Sequence, residues 1–212
     1  MSEAAIARPQ ELLPEDQARA EFYALLARLF GDAPDVALLS AIASAPALEP
    51  APGLEAAEAK GVAPAWNAVR DASAVADVAT VRDEFQALFV GVGRSEVSLY
   101  ASHYIGPQSG RPLAELRASL AELGLARRQD SQEFEDHLSV VLEVMRMLVA
   151  GDGERSPATI GAQRAFFDRH LAPWAADCCA AISANSVANY YRRVAEFAQC
   201  FMALERDSFA LD

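Results

Sequence analysis

Residues 130–150, DSQEFEDHLSVVLEVMRMLVA, constrain the fold more than any other stretch. Phe134, Leu138, Val141, Met145 and Leu148 recur at helical spacing and draw a single apolar stripe. A stripe that regular needs a partner surface, so the spacing predicts a helix over 130–150 lying in the core. Asp130 followed by Glu133 reads as a capping box at its start. On helical geometry Asp136 and Glu143 point away from the stripe, and His137 stands on its shoulder. An acidic–imidazole pair is therefore expected where buried and exposed surfaces meet.

The same periodicity recurs along the chain. Phe22, Leu25, Leu26 and Leu29 predict a helix over 14–30 that Gly31 stops, and Val36, Leu39 and Ile42 a short one over 34–44. Trp66, Val69 and Val75 mark 64–76, and Val81, Phe85, Leu88 and Phe89 mark 79–90. Leu113, Leu116, Leu120 and Leu123 follow, closed by Gly124. Ser156 and Pro157 form a start signal for a helix to His170 with Ile160, Phe166, Phe167 and Leu171 as contacts. Further helices are expected over 173–183 and 186–209. No β-alternation or hairpin signal appears. The chain is predicted to be all-α, a single-domain bundle of about nine helices spanning 1–212, with residues 1–12 a loose tail. Two stretches break the pattern: the Pro/Gly/Ala-rich 47–64, and the 22-residue segment 91–112, GVGRSEVSLYASHYIGPQSGRP. Irregular connections that long are uncommon in compact folds and often functional.

Composition removes several functions. The net charge is −12, which disfavours sequence-independent nucleic-acid binding and anionic membrane surfaces, and suits a basic partner segment. Three cysteines, two of them adjacent, give no disulfide framework, as in a reducing cytosol. They sit among apolar neighbours and read as small core residues. The N-terminus has no apolar signal-peptide core, and no run reaches membrane-spanning length. There is no CxxC, HExxH, EF-hand loop, P-loop or GxSxG, and the histidines at 103, 137 and 170 are scattered. No metal, cofactor or catalytic set is expected. Adjacent Asp136 and His137 point about 100° apart on a helix and cannot form a relay by themselves.

DEFQALFVGVG (83–93), the YAS segment at 100–102 with Tyr104, GRPLAELRASLAELGL (110–125), EDHLSVVLEVMRMLV (135–149) and FFDRHLAPW (166–174) together resemble the TorD/DmsD/NarJ-like family. The likeness covers roughly 15–209 and is strongest over 83–174. It implies an all-helical cytoplasmic chaperone without catalytic turnover. Such a chaperone binds the twin-arginine signal peptide, and often the body, of a molybdenum-cofactor enzyme's catalytic subunit. It holds back export until the cofactor is inserted. Residue by residue, the family's acidic–histidine motif falls on Glu135, Asp136 and His137, with Glu143 further along the helix. Its tyrosine–serine loop falls on Tyr100 and Ser102 with Tyr104 nearby, and its acidic–aromatic block on Glu84, Phe85, Leu88, Phe89 and Gly91. Trp174 reads as a core anchor. The family often has proline just before the loop tyrosine, where this chain has Ser98 and Leu99, which leaves the loop less rigid. GRPLAELR and FFDRHLAPW lean toward chaperones of formate dehydrogenase or dimethyl sulfoxide reductase-like enzymes.

A twin-arginine leader presents two guanidinium groups and then an apolar run. Its host needs carboxylates that accept bidentate hydrogen bonds beside an apolar groove. Asp136 and Glu143 are the first choice for that contact, Glu133 the next, with His137, Tyr100 and Ser102 shaping the hinge. Two other functions stay open: an assembly adaptor for a non-exported oxidoreductase subunit, and a guanine-nucleotide switch. A monomer is expected, and the 22-residue segment is long enough for a domain-swapped dimer.

Overall fold

The computed structural model describes residues 12–49, 61–91, 95–106, 111–125 and 133–211. Among them are ten α-helices and no strand: α1 (Pro14–Gly31), α2 (Val36–Ser44), α3 (Val62–Val75), α4 (Val78–Phe85), α5 (Ala101–Tyr104), α6 (Pro112–Glu122), α7 (Leu138–Ala150), α8 (Ile160–His170), α9 (Ala175–Ala184) and α10 (Tyr190–Phe209). Helix α4 runs on into a single π-helical stretch, Gln86–Val90. The all-α expectation holds, and the tenth helix is the one-turn α5 inside the segment read as irregular. None of these helices is long and apolar enough to cross a membrane.

The largest helix–helix interface joins α1 to α7. Tyr23, Leu26, Leu29 and Phe30 of α1 face Leu138, Val141, Leu142, Met145 and Val149 of α7, all fully or almost fully buried. Burying side chains of this size stabilises by about 1.5–3 kcal/mol each, before the opposing conformational entropy is subtracted. Aromatic rings bind the other layers: Phe22 of α1 lies 5.4 Å from Trp66 of α3 and 5.0 Å from Phe197 of α10, the latter edge-on. Under them, the buried Glu205 carboxylate takes Arg19 Nε at 2.7 Å, Arg19 Nη2 at 2.9 Å and the Tyr23 hydroxyl at 2.8 Å. A charge this deep persists because both carboxylate oxygens have donors.

Glu84 does the same at a helix end. Its two oxygens accept the backbone N–H groups of Asn189, Tyr190 and Tyr191 at 2.8, 3.0 and 2.8 Å. Those donors have no partner inside α10, so a carboxylate from α4 completes the helix start and fixes where α4 crosses it. Phe85 and Phe89 pack at 5.7 and 5.0 Å from the Tyr191 ring. Gly91 ends the π-helical stretch at φ +60°, a backbone angle that favours glycine, with its N–H on Gln86 O. Trp174 is fully buried and donates to His170 O at 2.7 Å, as a core anchor should.

The structure corrects the sequence reading at the central element. Helix α7 begins at Leu138, eight residues later than the spacing suggests, with His137 as its N-cap. Residues 133–137 are not helical, so Phe134 is 52% exposed rather than part of the stripe. Asp136, expected on a solvated face, is only 2% exposed. Asp130 lies outside the described residues, as do nearly all of the tail over 1–12 and the middle of 47–64. Helix α8 likewise starts at Ile160, capped by Thr159 Oγ1 on Ala162 N–H rather than by Ser156, and Ile160 and Val36 stand 41% and 62% exposed instead of in contact. Cys178 and Cys179 are buried, and Cys200 half-buried.

Candidate functional site

The irregular segment and the start of α7 meet in one isolated antiparallel bridge between Tyr100 and His137. Leu138 N–H donates to Leu99 O at 2.8 Å, and Ala101 N–H to Asp136 O at 2.9 Å. Before it, Glu135 and Asp136 form a turn closed by His137 N–H on Phe134 O at 3.1 Å, and His137 is extended, so Asp136 O and Leu138 N–H find partners across the bridge instead of along a helix. The bridge then sets each side chain. Tyr100 and His137 rings pack edge-on at 4.9 Å, and the Tyr100 hydroxyl donates to Glu133 Oε2. His137 Nδ1 lies 2.7 Å from Ser139 Oγ and accepts Ser139 N–H at 3.3 Å. The Asp136 carboxylate accepts Ser102 N–H at 3.1 Å and so caps α5 from across the bridge. Tyr104 donates to Ser98 O at 2.8 Å and stacks on Trp174 at 5.9 Å, which ties the far side of the loop to the start of α9.

Burial tunes these groups. It pushes the His137 imidazole below its ordinary value, against the opposing pull of the Glu133 and Asp136 carboxylates, so the ring is held neutral and can accept. Burial, then the Glu133 partner, pushes the Tyr100 phenol up and keeps it a donor. His170, buried between Phe166 and Ser119, is pushed down to about 4 by burial and by neighbouring Arg169. Between its ordinary value of 6.5 and about 4 the unfolded chain binds a proton at His170 that the folded chain does not. Stability is therefore expected to fall as pH drops through this window. Thermal midpoints of His170→Gln against the parent, measured from pH 7 down to about 4, should show a shallower acid slope in the variant.

Two clefts flank the bridge. The larger, about 380 Å³, lies between the end of α1, the π-helical stretch and the bridge. Phe30, Phe85, Phe89, Val90 and Leu99 give it apolar walls, and Asp32, Glu133, Tyr100 and His137 line it with polar groups. The smaller, about 160 Å³, has Asp136 in its lining with Ile105, Leu116, Arg169 and His170. So the bridge brings Tyr100, Ser102, Glu133, Asp136 and His137 together, with Tyr104 behind them. It does not bring Glu143 there. That side chain lies on α7, lines neither cleft and pairs with Arg146 at 2.8 Å. Glu135 is buried and takes Arg117 in a two-bond fork, both at 3.0 Å, which fastens α6 to the bridge. Phe85 and Phe89 belong to the large cleft's wall, Glu84 fixes the helix crossing at the start of α10, and Gly91 ends the π-helical stretch. Sequence reasoning missed Asp32, which the packing of α1 on α7 brings to the cleft, and Gln86, which enters it from the π-helical stretch after α4. The arrangement offers carboxylates beside apolar walls, which suits a cationic, partly apolar ligand.

A family described as nitrate reductase delta subunit matches residues 55–180. Over 100 residues the chain is 32% identical to Chaperone protein TorD of Photobacterium profundum, a match that covers 43% of this chain and 46% of that protein. It is 26% identical over 133 residues to the perchlorate reductase assembly chaperone protein of Dechloromonas aromatica, covering 57% and 59%. Chaperone protein TorD of Shewanella loihica is 26% identical over 202 residues, 91% and 93% of the two chains. The matches span about half the length of the first two relatives and nearly all of the third.

Proposed function

We infer the function from one premise: the chain belongs to the nitrate reductase delta subunit family. It is a cytoplasmic maturation chaperone for an oxidoreductase, a molybdenum-cofactor enzyme, and it binds the twin-arginine leader of that enzyme's catalytic subunit before export. Relatives named for TorD chaperoning and perchlorate reductase assembly support the chaperone role.

One observation carries the leader-binding part. The 380 Å³ cleft sets Asp32 and Glu133 over a wall of Phe30, Phe85, Phe89 and Leu99. A leader's guanidinium groups would meet the carboxylates, and its apolar run the wall. Tyr100 and His137 shape the cleft floor, while Asp136 and Ser102 act as positioning residues through the bridge. The −12 charge favours encounter with a basic leader at low salt.

The test is stoichiometric capture of a reductase catalytic-subunit precursor by the purified chain. Precursors carrying the leader, a leader with both arginines changed to lysine, or no leader would be compared by calorimetric titration. Affinity should fall about tenfold or more on arginine-to-lysine exchange, because a point charge replaces a planar fork. Equal affinity for all three forms would instead favour an adaptor that reads only the folded subunit.

A further inference from the structure

The start of α7 leaves a hydrogen-bond donor facing the large cleft. His137 Nδ1 accepts the Ser139 backbone N–H at 3.3 Å, with the Ser139 hydroxyl 2.7 Å away. A backbone N–H can only donate, so Nδ1 carries a lone pair and no proton. The ring is neutral, because burial outweighs the opposing pull of the Glu133 and Asp136 carboxylates. A neutral imidazole with a bare Nδ1 holds its proton on Nε2. Capping α7 therefore fixes the tautomer of His137 and leaves Nε2–H uncommitted.

That donor meets no acceptor among the described residues. Nor is it sealed in: among them the Ser183 hydroxyl is the one buried side-chain polar atom without a partner. An unpartnered Nε2 must therefore border open space. His137 is only 5% exposed, and of the two clefts beside the bridge only the large one has it in its lining. Nε2–H thus opens into that cleft from a ring otherwise enclosed, with Tyr100 packed edge-on against it. An anionic acceptor is disfavoured there, since Asp32 and Glu133 line the same cleft and Asp136 follows in the turn before the ring. A neutral carbonyl meets no such repulsion. An extended peptide presents one at every residue, about 3.3 Å apart along the chain.

We propose that His137 Nε2–H takes a main-chain carbonyl of the bound leader, so that the cleft reads an extended peptide and not guanidinium charge alone. This role rests on the leader reading above and adds the selectivity that carboxylates lack. Asp32 and Glu133 accept any dication of suitable span. A carbonyl required beside the charges excludes polyamines and free guanidines, because without it the His137 donor loses its water and gains no partner. One side chain then serves both ends of the account: Nδ1 starts the helix, and Nε2 recognises the ligand.

The test uses the full chain. Without ligand, nitrogen nuclear magnetic resonance of the His137 ring at neutral pH should show a protonated Nε2 and a bare Nδ1. His137→Asn keeps an acceptor where Nδ1 stood, so the cap and the thermal midpoint should hold, but it places nothing at Nε2. Leader affinity should fall about fivefold, the worth of one neutral hydrogen bond. His137→Gln reaches the Nε2 position with an amide N–H and gives up the cap. It should restore affinity to within about twofold of the parent while the midpoint drops by about 2–4 °C. An alkyl diguanidine, with two cations and no carbonyl, should bind parent and His137→Asn alike. A proton on Nδ1, an asparagine form that binds leader as the parent does, a glutamine form no better than the asparagine one, or an equal loss for leader and diguanidine would each overturn this role and leave the leader reading standing. A parent that does not bind the leader at all would end both.

Discussion

Glu84→Ala is expected to lower the free energy of unfolding by about 3–5 kcal/mol, a large share of what holds a domain of this size together. The carboxylate is the shared acceptor for Asn189, Tyr190 and Tyr191 N–H, and Tyr190 and Tyr191 are buried. Truncation leaves those donors without a partner. It also removes the negative charge at the positive end of the 20-residue α10. Glu84→Gln keeps one acceptor oxygen and should cost about half as much. Urea denaturation of both variants beside the parent checks this, with the alanine form giving the larger midpoint shift. A change below about 1 kcal/mol for alanine would mean that α10 finds other acceptors for its first turn.

The largest functional effect is expected at the big cleft. Glu133→Gln and Asp32→Asn should each weaken leader affinity about tenfold, and together about a hundredfold, if each carboxylate holds a guanidinium by a charge-assisted bond of about 1.5–3 kcal/mol. Glutamine at 133 can still accept the Tyr100 hydroxyl, so the bridge should survive and the helical circular dichroism should not change. Glu143→Gln is the contrast: it loses a half-exposed pair with Arg146 and should leave leader affinity within about twofold. Fluorescence anisotropy of a labelled leader on these variants and the parent separates the cases. An effect of Glu143 equal to that of Glu133 would place the charged contact on α7 instead.

The helices were legible because each buries a stripe whose period a sequence displays. Val141, Met145 and Leu148 did this for α7, and Phe197 and Phe201 for α10. The resemblance carried by 83–93, 100–104 and 135–149 was met by the family match over 55–180. What misled was the start of α7. Phe134 falls in phase with the stripe, yet backbone pairing of His137 with Tyr100 overrides phase, and that pairing joins residues far apart in the chain. The same long-range event buries Asp136, because a turn whose carbonyl and carboxylate are held by Ala101 and Ser102 N–H is aimed by that facing segment and not by helix geometry. Glu135 could not be told from a solvated carboxylate until Arg117 was seen across from it. Asp32 was invisible for a related reason. Only the α1–α7 packing carries it to the cleft, and composition records no trace of such a meeting. Glu84 had a motif but no role until the start of α10 lay against it.

Hydrogen–deuterium exchange of the chain with and without a twin-arginine leader peptide tests the leader site most directly. Protection is expected at the end of α1 near Asp32, along Gln86–Val90, and from Leu99 through Ser102 with Glu133 to Ser139, and a leader bearing lysines for arginines should give much less. Protection confined to other surfaces, or equal protection by both peptides, would contradict it.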